Sequence, residues 1–150
     1  MYSKEQAAKT RVKFWTNFGQ YMKPVPGASA QVVNWLNYKT GVKNIFFRLD
    51  ANMTKAGISI ELRHPEISER KKSFDQFLSL KKLLEDTTGY KWQWQEYVED
   101  GGDKVISRIS QTLHGVNILN ESDWPSIISF MKSRITSLDE FWDLVKDGFE

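Results

Sequence analysis

The order and periodicity of apolar residues predict an α+β fold: a mainly antiparallel sheet of about five strands with three helices, in the order α-β-β-β-α-β-β-α. Three observations lead there. Long stretches near both ends repeat apolar residues every three or four positions, short segments between them alternate apolar with polar, and glycine and proline punctuate the joints. The 150 residues suit a single domain, 1–150. A chain of that size buries roughly 68–70% of its unfolded surface in one core.

The first helix opens with Ser3 and Gln6, a capping box, and continues through Ala8, Arg11, Trp15, Phe18 and Met22, with Phe14 and Tyr21 alongside. Lys23-Pro24-Val25-Pro26-Gly27 stops it, because two prolines force an extended crossing. Residues 32–38 read as an extended segment, and Lys39-Thr40-Gly41 as a hairpin turn with glycine in the left-handed position. Ile45, Phe47 and Leu49 alternate with Phe46, Arg48 and Asp50, while Ile58, Ile60 and Leu62 alternate with Ser59, Glu61 and Arg63. Placing both apolar sets on one face pairs Leu49 with Ile58, Phe47 with Ile60 and Ile45 with Leu62.

A second helix is expected over 66–86, with Ile67, Phe74, Phe77, Leu80 and Leu84 on its stripe and Gly89 as its cap. Residues 90–95 then alternate, turn at Asp100-Gly101-Gly102-Asp103 and return through 104–113 with Val105, Ile109 and Leu113 on the matching face. The last helix, about 22 residues long, starts at an Asn-Glu-Ser-Asp cluster followed by Pro125 and repeats Ile128, Met131, Ile135, Leu138, Trp142 and Val145. Flanking Ile127, Phe130 and Phe141 widen this stripe beyond a coiled-coil seam. A monomer is therefore expected, with a homodimer through 123–147 as the alternative.

Composition excludes several classes of chemistry. The absence of cysteine removes disulfides, thiol nucleophiles and thiolate metal sites, and two histidines, His64 and His114, cannot fill a zinc shell. Each histidine reads as a strand terminus rather than half of a catalytic pair. Neither a glycine-rich phosphate loop nor G-x-S-x-G nor H-E-x-x-H occurs. The 100–103 turn lacks the spaced oxygen ligands of a calcium loop. No cofactor and no metal are expected. A net charge of +2 is too small to name a partner. The N-terminal residues lack the apolar core of a signal peptide, and no apolar run approaches a membrane span, so a cytoplasmic protein without membrane contact is expected.

The outer sheet face should collect Phe46, Arg48, Ser59, Glu61, Arg63, Gln93, Gln95, Tyr97, Ile106 and Arg108. Arginine forks interleaved with aromatics suit an anionic or planar ligand, so Arg48, Glu61, Arg63 and Arg108 are the candidate binding residues. A solvated outer face with cross-strand charge pairs is the simpler alternative. Arg11 joins the candidates because it interrupts an apolar stripe: it should be an internal salt bridge, to Glu61 or Asp50, or a residue at the rim of the core. The expected function is a non-enzymatic binding or interaction module with a nucleic-acid or protein partner.

The element order also matches the restriction-endonuclease core, with Asp50 and Glu61-Leu62-Arg63 echoing its acid and (Asp/Glu)-x-Lys pair. A metal-dependent nuclease, or its inactive descendant, is the alternative function. A magnesium ion would need both acids at one height. The register instead sets Glu61 opposite Phe46, four residues or on the order of 13 Å from Asp50. Arg63, standing where the lysine would be, stays protonated and cannot act as a base.

Arg11-x-x-Phe14-Trp15, the run from Trp35 to Gly41, Phe47-Arg48-Leu49-Asp50, Glu61-Leu62, Asp123-Trp124-Pro125 and Asp139-Glu140-Phe141-Trp142 are similar to the bacterial family called domain of unknown function 4268. The resemblance spans nearly the whole chain and looks like the short, free-standing form of Bacteroidetes-type bacteria. Related domains also form the C-terminal part of longer proteins with a nuclease-like segment, which by analogy implies a nucleic-acid-related role. The family has no established activity and transfers no catalytic residue.

Among six tryptophans, Trp15, Trp92, Trp94 and Trp142 fall on inward faces. Trp35 and Trp124 are the two expected to meet a partner, if any does.

Overall fold

The computed structural model of the protein describes residues 2–149. Its regular elements are α1 (Lys4–Met22), β1 (Ile45–Ala51), β2 (Lys55–Leu62), α2 (Ile67–Ser79), α3 (Lys81–Thr88), β3 (Gln93–Glu99), β4 (Val105–His114) and α4 (Trp124–Val145), with short 3-10 turns at Trp35–Asn37, Glu121–Asp123 and Lys146–Phe149. Among the described residues the α+β class therefore holds with four strands and four α-helices rather than five and three.

The strands form one antiparallel sheet in the order β1-β2-β4-β3. The β1–β2 register pairs Ile45 with Leu62, Phe47 with Ile60 and Leu49 with Ile58, as the apolar alternation requires. Helices α2 and α4 lie against the sheet, α3 packs on α4, and α1 packs on α4 and the 35–37 turn. The core between them is strongly aromatic. Trp142 meets Phe47 edge-on at 5.4 Å between centroids and stacks on Phe77 at 6.1 Å, while its indole N–H donates to the Thr40 carbonyl at 2.8 Å. Burying each such ring contributes roughly 1.5–3 kcal/mol.

Two predicted elements change. Residues 32–38 are not a strand: Asn34 caps a 3-10 turn by accepting from the Asn37 N–H at 3.2 Å, and Val32 is 96% exposed. Trp35 drives that turn, since its ring is buried and its indole N–H donates to Val25 O at 2.9 Å. Gly41 does adopt the left-handed conformation, φ 79°, but it joins the turn to β1 instead of closing a hairpin. The second helix breaks at Leu80, φ −104° and ψ 10°, into α2 and α3, whose C-cap Gly89 is left-handed. Leu84 and Thr88 of α3 are buried, as Phe74 and Phe77 of α2 are, whereas Ile67 is 63% exposed.

Arg11 was expected in or beside the core, and it is exposed. The buried side of α1 runs through Ala7, Phe14, Phe18 and Met22, so the stripe lies one position round from the expected one. Water then solvates the Arg11 guanidinium at no cost in burial. The buried arginine is Arg70 of α2, 6% exposed, whose Nη1 donates to the His64 carbonyl at 3.1 Å.

Trp35 and Trp124 are likewise buried rather than available to a partner, and Trp124 donates its indole N–H to Ile118 O at 2.6 Å. The 22-residue α4 turns Ile127, Met131, Ile135, Leu138 and Trp142 into the chain's own core. Its heptad is thus used internally.

Candidate binding trough

Strand parity creates the site. Odd-numbered β1 residues and even-numbered β2 residues enter the core, which leaves the opposite face with three cross-strand rows. One row is Phe46, Glu61, Arg108 and Gln95; the next is Arg48, Ser59, Ser110 and Gln93; the third is Asp50, Gly57 and Thr112. None of these residues belongs to the core cluster. The two central strands supply Gly57, Ser59 and Ser110, all small, while long polar side chains stand on the edge strands. A trough of about 400 Å³ follows, lined by these rows, Phe46 excepted, and by Lys55, a volume within the range of ligand sites.

A β-bulge shapes one end. Between the pairs Gln95–Arg108 and Val98–Ile106, β3 carries two residues, Glu96 and Tyr97, against Ser107 alone. Ser107 Oγ donates to the Glu96 carbonyl at 2.7 Å, which satisfies the acceptor that the bulge removes from the ladder. The bulge adds local twist, and past it Asp100, in the turn after β3, meets Arg63 just beyond β2, with Nη1 to Oδ2 at 2.8 Å. Ile106 is fully buried at this end, outside the main core cluster.

Three of the five candidate residues, Arg48, Arg63 and Arg108, converge on the carboxylate of a fourth, Glu61. Arg48 Nε and Arg63 Nε each donate to Glu61 Oε1 at 2.9 Å, and Arg108 Nη2 lies 3.4 Å from Oε2. The Glu61 side chain is only 7% exposed. A carboxylate can be buried there because three guanidiniums compensate the lost hydration. Burial works against the charge of Arg63, but its bonds to Asp100 and Glu61 prevail and push its pKa up. In turn Arg63, helped by the Gly102 N–H, holds the Asp100 carboxyl below its usual range. Arg11, the fifth candidate, sits on α1 away from this cluster and makes no ion pair among the described residues.

Arg48 stands apart within the cluster. It spends only Nε on Glu61, its side chain is 51% exposed, and its guanidinium lies 5.0 Å from the Phe46 ring centroid. Its terminal nitrogens make no hydrogen bond among the described residues, so a fork is held in a set orientation at the wall of the trough. Asp50 pairs with Gly57 and Glu61 with Phe46. The two acids of the nuclease echo are therefore four residues apart on the ladder, and Glu61 is already committed to arginine.

Sequence reasoning missed the floor. Ser110, Thr112 and Gly57 belong to it, and extending the Arg108 alternation two and four residues along β4 would have placed the first two. Lys55 was missed because the rim of a trough is set by sheet curvature, which the pattern does not encode.

His64 follows β2 and faces α2, where its Nε2 lies 3.2 Å from Ser73 Oγ while Nδ1 is buried without a partner. Burial lowers its pKa, with Arg70 adding to the effect against Glu69. A histidine that activates a serine needs its second nitrogen oriented by an acceptor, and this one has none.

The protein-family comparison covers residues 10–146, and the matching family is described as a domain of unknown function, DUF4268. The chain belongs to that family. No curated protein and no solved structure gives a significant match. Within this DUF4268 domain the match takes in every strand and the whole trough. Among the described residues of the DUF4268 chain no helix is long and apolar enough to cross a membrane, and no group of three or more His, Cys, Asp or Glu side chains is placed to hold a metal ion.

Proposed function

We propose that this DUF4268 domain is a binding module that takes an anionic ligand with planar groups, nucleic-acid-related, on the outer face of its sheet. Arg48, with Arg108, would contact the charge, and Gln93, Gln95, Ser59 and Ser110 would hydrogen-bond the neutral part. The observation that carries this reading is the Arg48 guanidinium, anchored through one nitrogen with its others unused, beside a trough floored by small side chains. The small side chains of Ser59 and Ser110 leave room beneath the fork for a planar group against the strands, while Gly57 makes way for the Asp50 side chain. Glu61 and Arg63 are positioning residues in this scheme, since both are engaged within the protein.

Amide and arginine side-chain NMR shifts, followed during titration with nucleotides, single-stranded DNA and single-stranded RNA, test the proposal. The expected result is saturable perturbation centred on Arg48, Ser59, Gln93 and Ser110, abolished by Arg48→Gln. Perturbations that cluster elsewhere, or none with any of the three, would overturn it.

A further inference from the structure

The trough does not end with the sheet. Strand β3 pairs with β4 only as far as Gln93 opposite Ser110, so β4 continues through His114 with no β3 partner beside it. Arg134 of α4 occupies that corner: its Nε donates to Gln111 Oε1 at 3.0 Å, and its guanidinium lies 3.8 Å from the Tyr90 centroid and 4.3 Å from that of Phe130. A second hollow of about 330 Å³ opens here, and Gln93, Ser110, Gln111 and Thr112 line both it and the trough. The two hollows adjoin at the end of β4, one on the outer face and the other round the uncovered edge, and the channel is the two together.

Charge along the channel has one sign in excess. Arg48, Lys55 and Arg108 line the first part and Lys91 and Arg134 the second, against Asp50 and Glu61 alone. Lys55, Lys91 and Arg134 have no carboxylate partner among the described residues. Between the cations the lining is hydroxyl and carboxamide, groups that both donate and accept, and Tyr90 leaves 41% of its surface exposed. Repeated cations, amphoteric hydrogen-bonding groups and a half-exposed aromatic ring with a guanidinium on one face suit a chain that alternates phosphates with bases. An acidic peptide would use the cations and the amphoteric groups but carries no regularly spaced base to lie against the ring.

We infer that the channel binds a short single-stranded nucleic acid, which enters at Arg48 and Lys55 and leaves over Lys91, Tyr90 and Arg134. The inference rests on the trough being the binding surface proposed above. Three inter-strand spacings measure about 14 Å, the length of about four stacked nucleotides at ~3.4 Å each.

Fluorescence anisotropy of the full chain with labelled oligothymidylates of increasing length tests this. Affinity should rise with length and level off beyond about four nucleotides, and log K should fall against log salt with a slope of about −2, as for three phosphates on a single strand. Arg48→Gln and Arg134→Gln should each weaken binding about tenfold. Lys91→Gln, at an exposed position, should weaken it severalfold and serves as the second reading should Arg134→Gln disturb packing. If Arg48→Gln weakens binding while Arg134→Gln and Lys91→Gln do not, the trough stands and the channel falls. Polyglutamate binding more tightly than an oligonucleotide of equal charge would overturn the nucleic-acid assignment alone. Failure of every oligonucleotide, nucleotide and acidic peptide to bind would overturn both readings.

Discussion

Glu61 and Arg108 stand directly opposite one another on β2 and β4, and their side chains meet with Oε2 and Nη2 3.4 Å apart. Because the same glutamate also receives Arg48 and Arg63, Glu61→Gln leaves three guanidiniums without the carboxylate they share, Arg63 alone keeping Asp100. Breaking a fully buried pair costs about 3–5 kcal/mol. Solvent reaches these arginines, at 25% to 51% side-chain exposure, and reduces that to about 2 kcal/mol. A fall in Tm of roughly 4–8 °C is expected, and calorimetry checks it; an unchanged Tm would show that the cluster is not structural.

Asp139 lies on α4 with 2% exposure and accepts both the Ala28 N–H, at 2.8 Å, and the Tyr38 hydroxyl. Two distant parts of the Pro-rich crossing are thereby tied to one helix. Asp139→Asn should cost about 1–3 kcal/mol and make the 23–38 crossing the first site of limited proteolysis. A double-mutant cycle with Tyr38→Phe should return a coupling of at least ~0.5 kcal/mol.

Burial, then the bond to Asp139, pushes the Tyr38 pKa up. A phenol with a raised folded pKa contributes stability that is present below its unfolded value of about 10 and is lost as pH climbs beyond it. Urea midpoints should therefore fall more steeply above pH ~10 in the wild type than in Tyr38→Phe.

His64 behaves in the opposite sense on the acid side. Its folded pKa lies below the unfolded value of about 6.5, so the unfolded chain binds the extra proton and stability declines as pH drops through that value. In His64→Gln the decline should flatten, as seen by urea denaturation on either side of pH ~6.5. Equal slopes for the two proteins would mean that His64 is freely solvated in solution.

Ile135 has 0% exposure and Leu144, on the same helix, 68%. Ile135→Asp should abolish cooperative unfolding, since an unpaired carboxylate in the core costs more than the few kcal/mol that hold such a domain together. Leu144→Asp should stay within about 0.5 kcal/mol of wild type. Circular dichroism melts separate the two.

The β1–β2 hairpin was legible because Ile45, Phe47 and Leu49 can meet Ile58, Ile60 and Leu62 in only one register. The same alternation put Arg48, Glu61 and Arg108 on a common face before any contact was known. Other features depend on partners far away in the chain. Trp35 becomes a turn residue because Val25 supplies an acceptor, and Asp139 can be buried because Ala28 and Tyr38 reach it. Arg11 is solvated and Arg70 buried for a related reason. A helical stripe specifies its angle only to within a residue, and the His64 carbonyl that receives Arg70 lies outside its helix. The β3 bulge at Glu96 and Tyr97 left no signature, since neither residue is a glycine or proline.

The pleat has one further consequence. On β1, Ile45 and Phe47 serve the core and Arg48 and Asp50 the trough, and Leu49 alone on this strand touches both. Substitutions at Arg48, Asp50, Ser59 or Ser110 can then change what is recognised while the packing of Phe47, Ile58 and Ile109 is conserved. Homologues of this chain could diverge in ligand preference with little drift in stability, their variation falling on every second residue of the sheet.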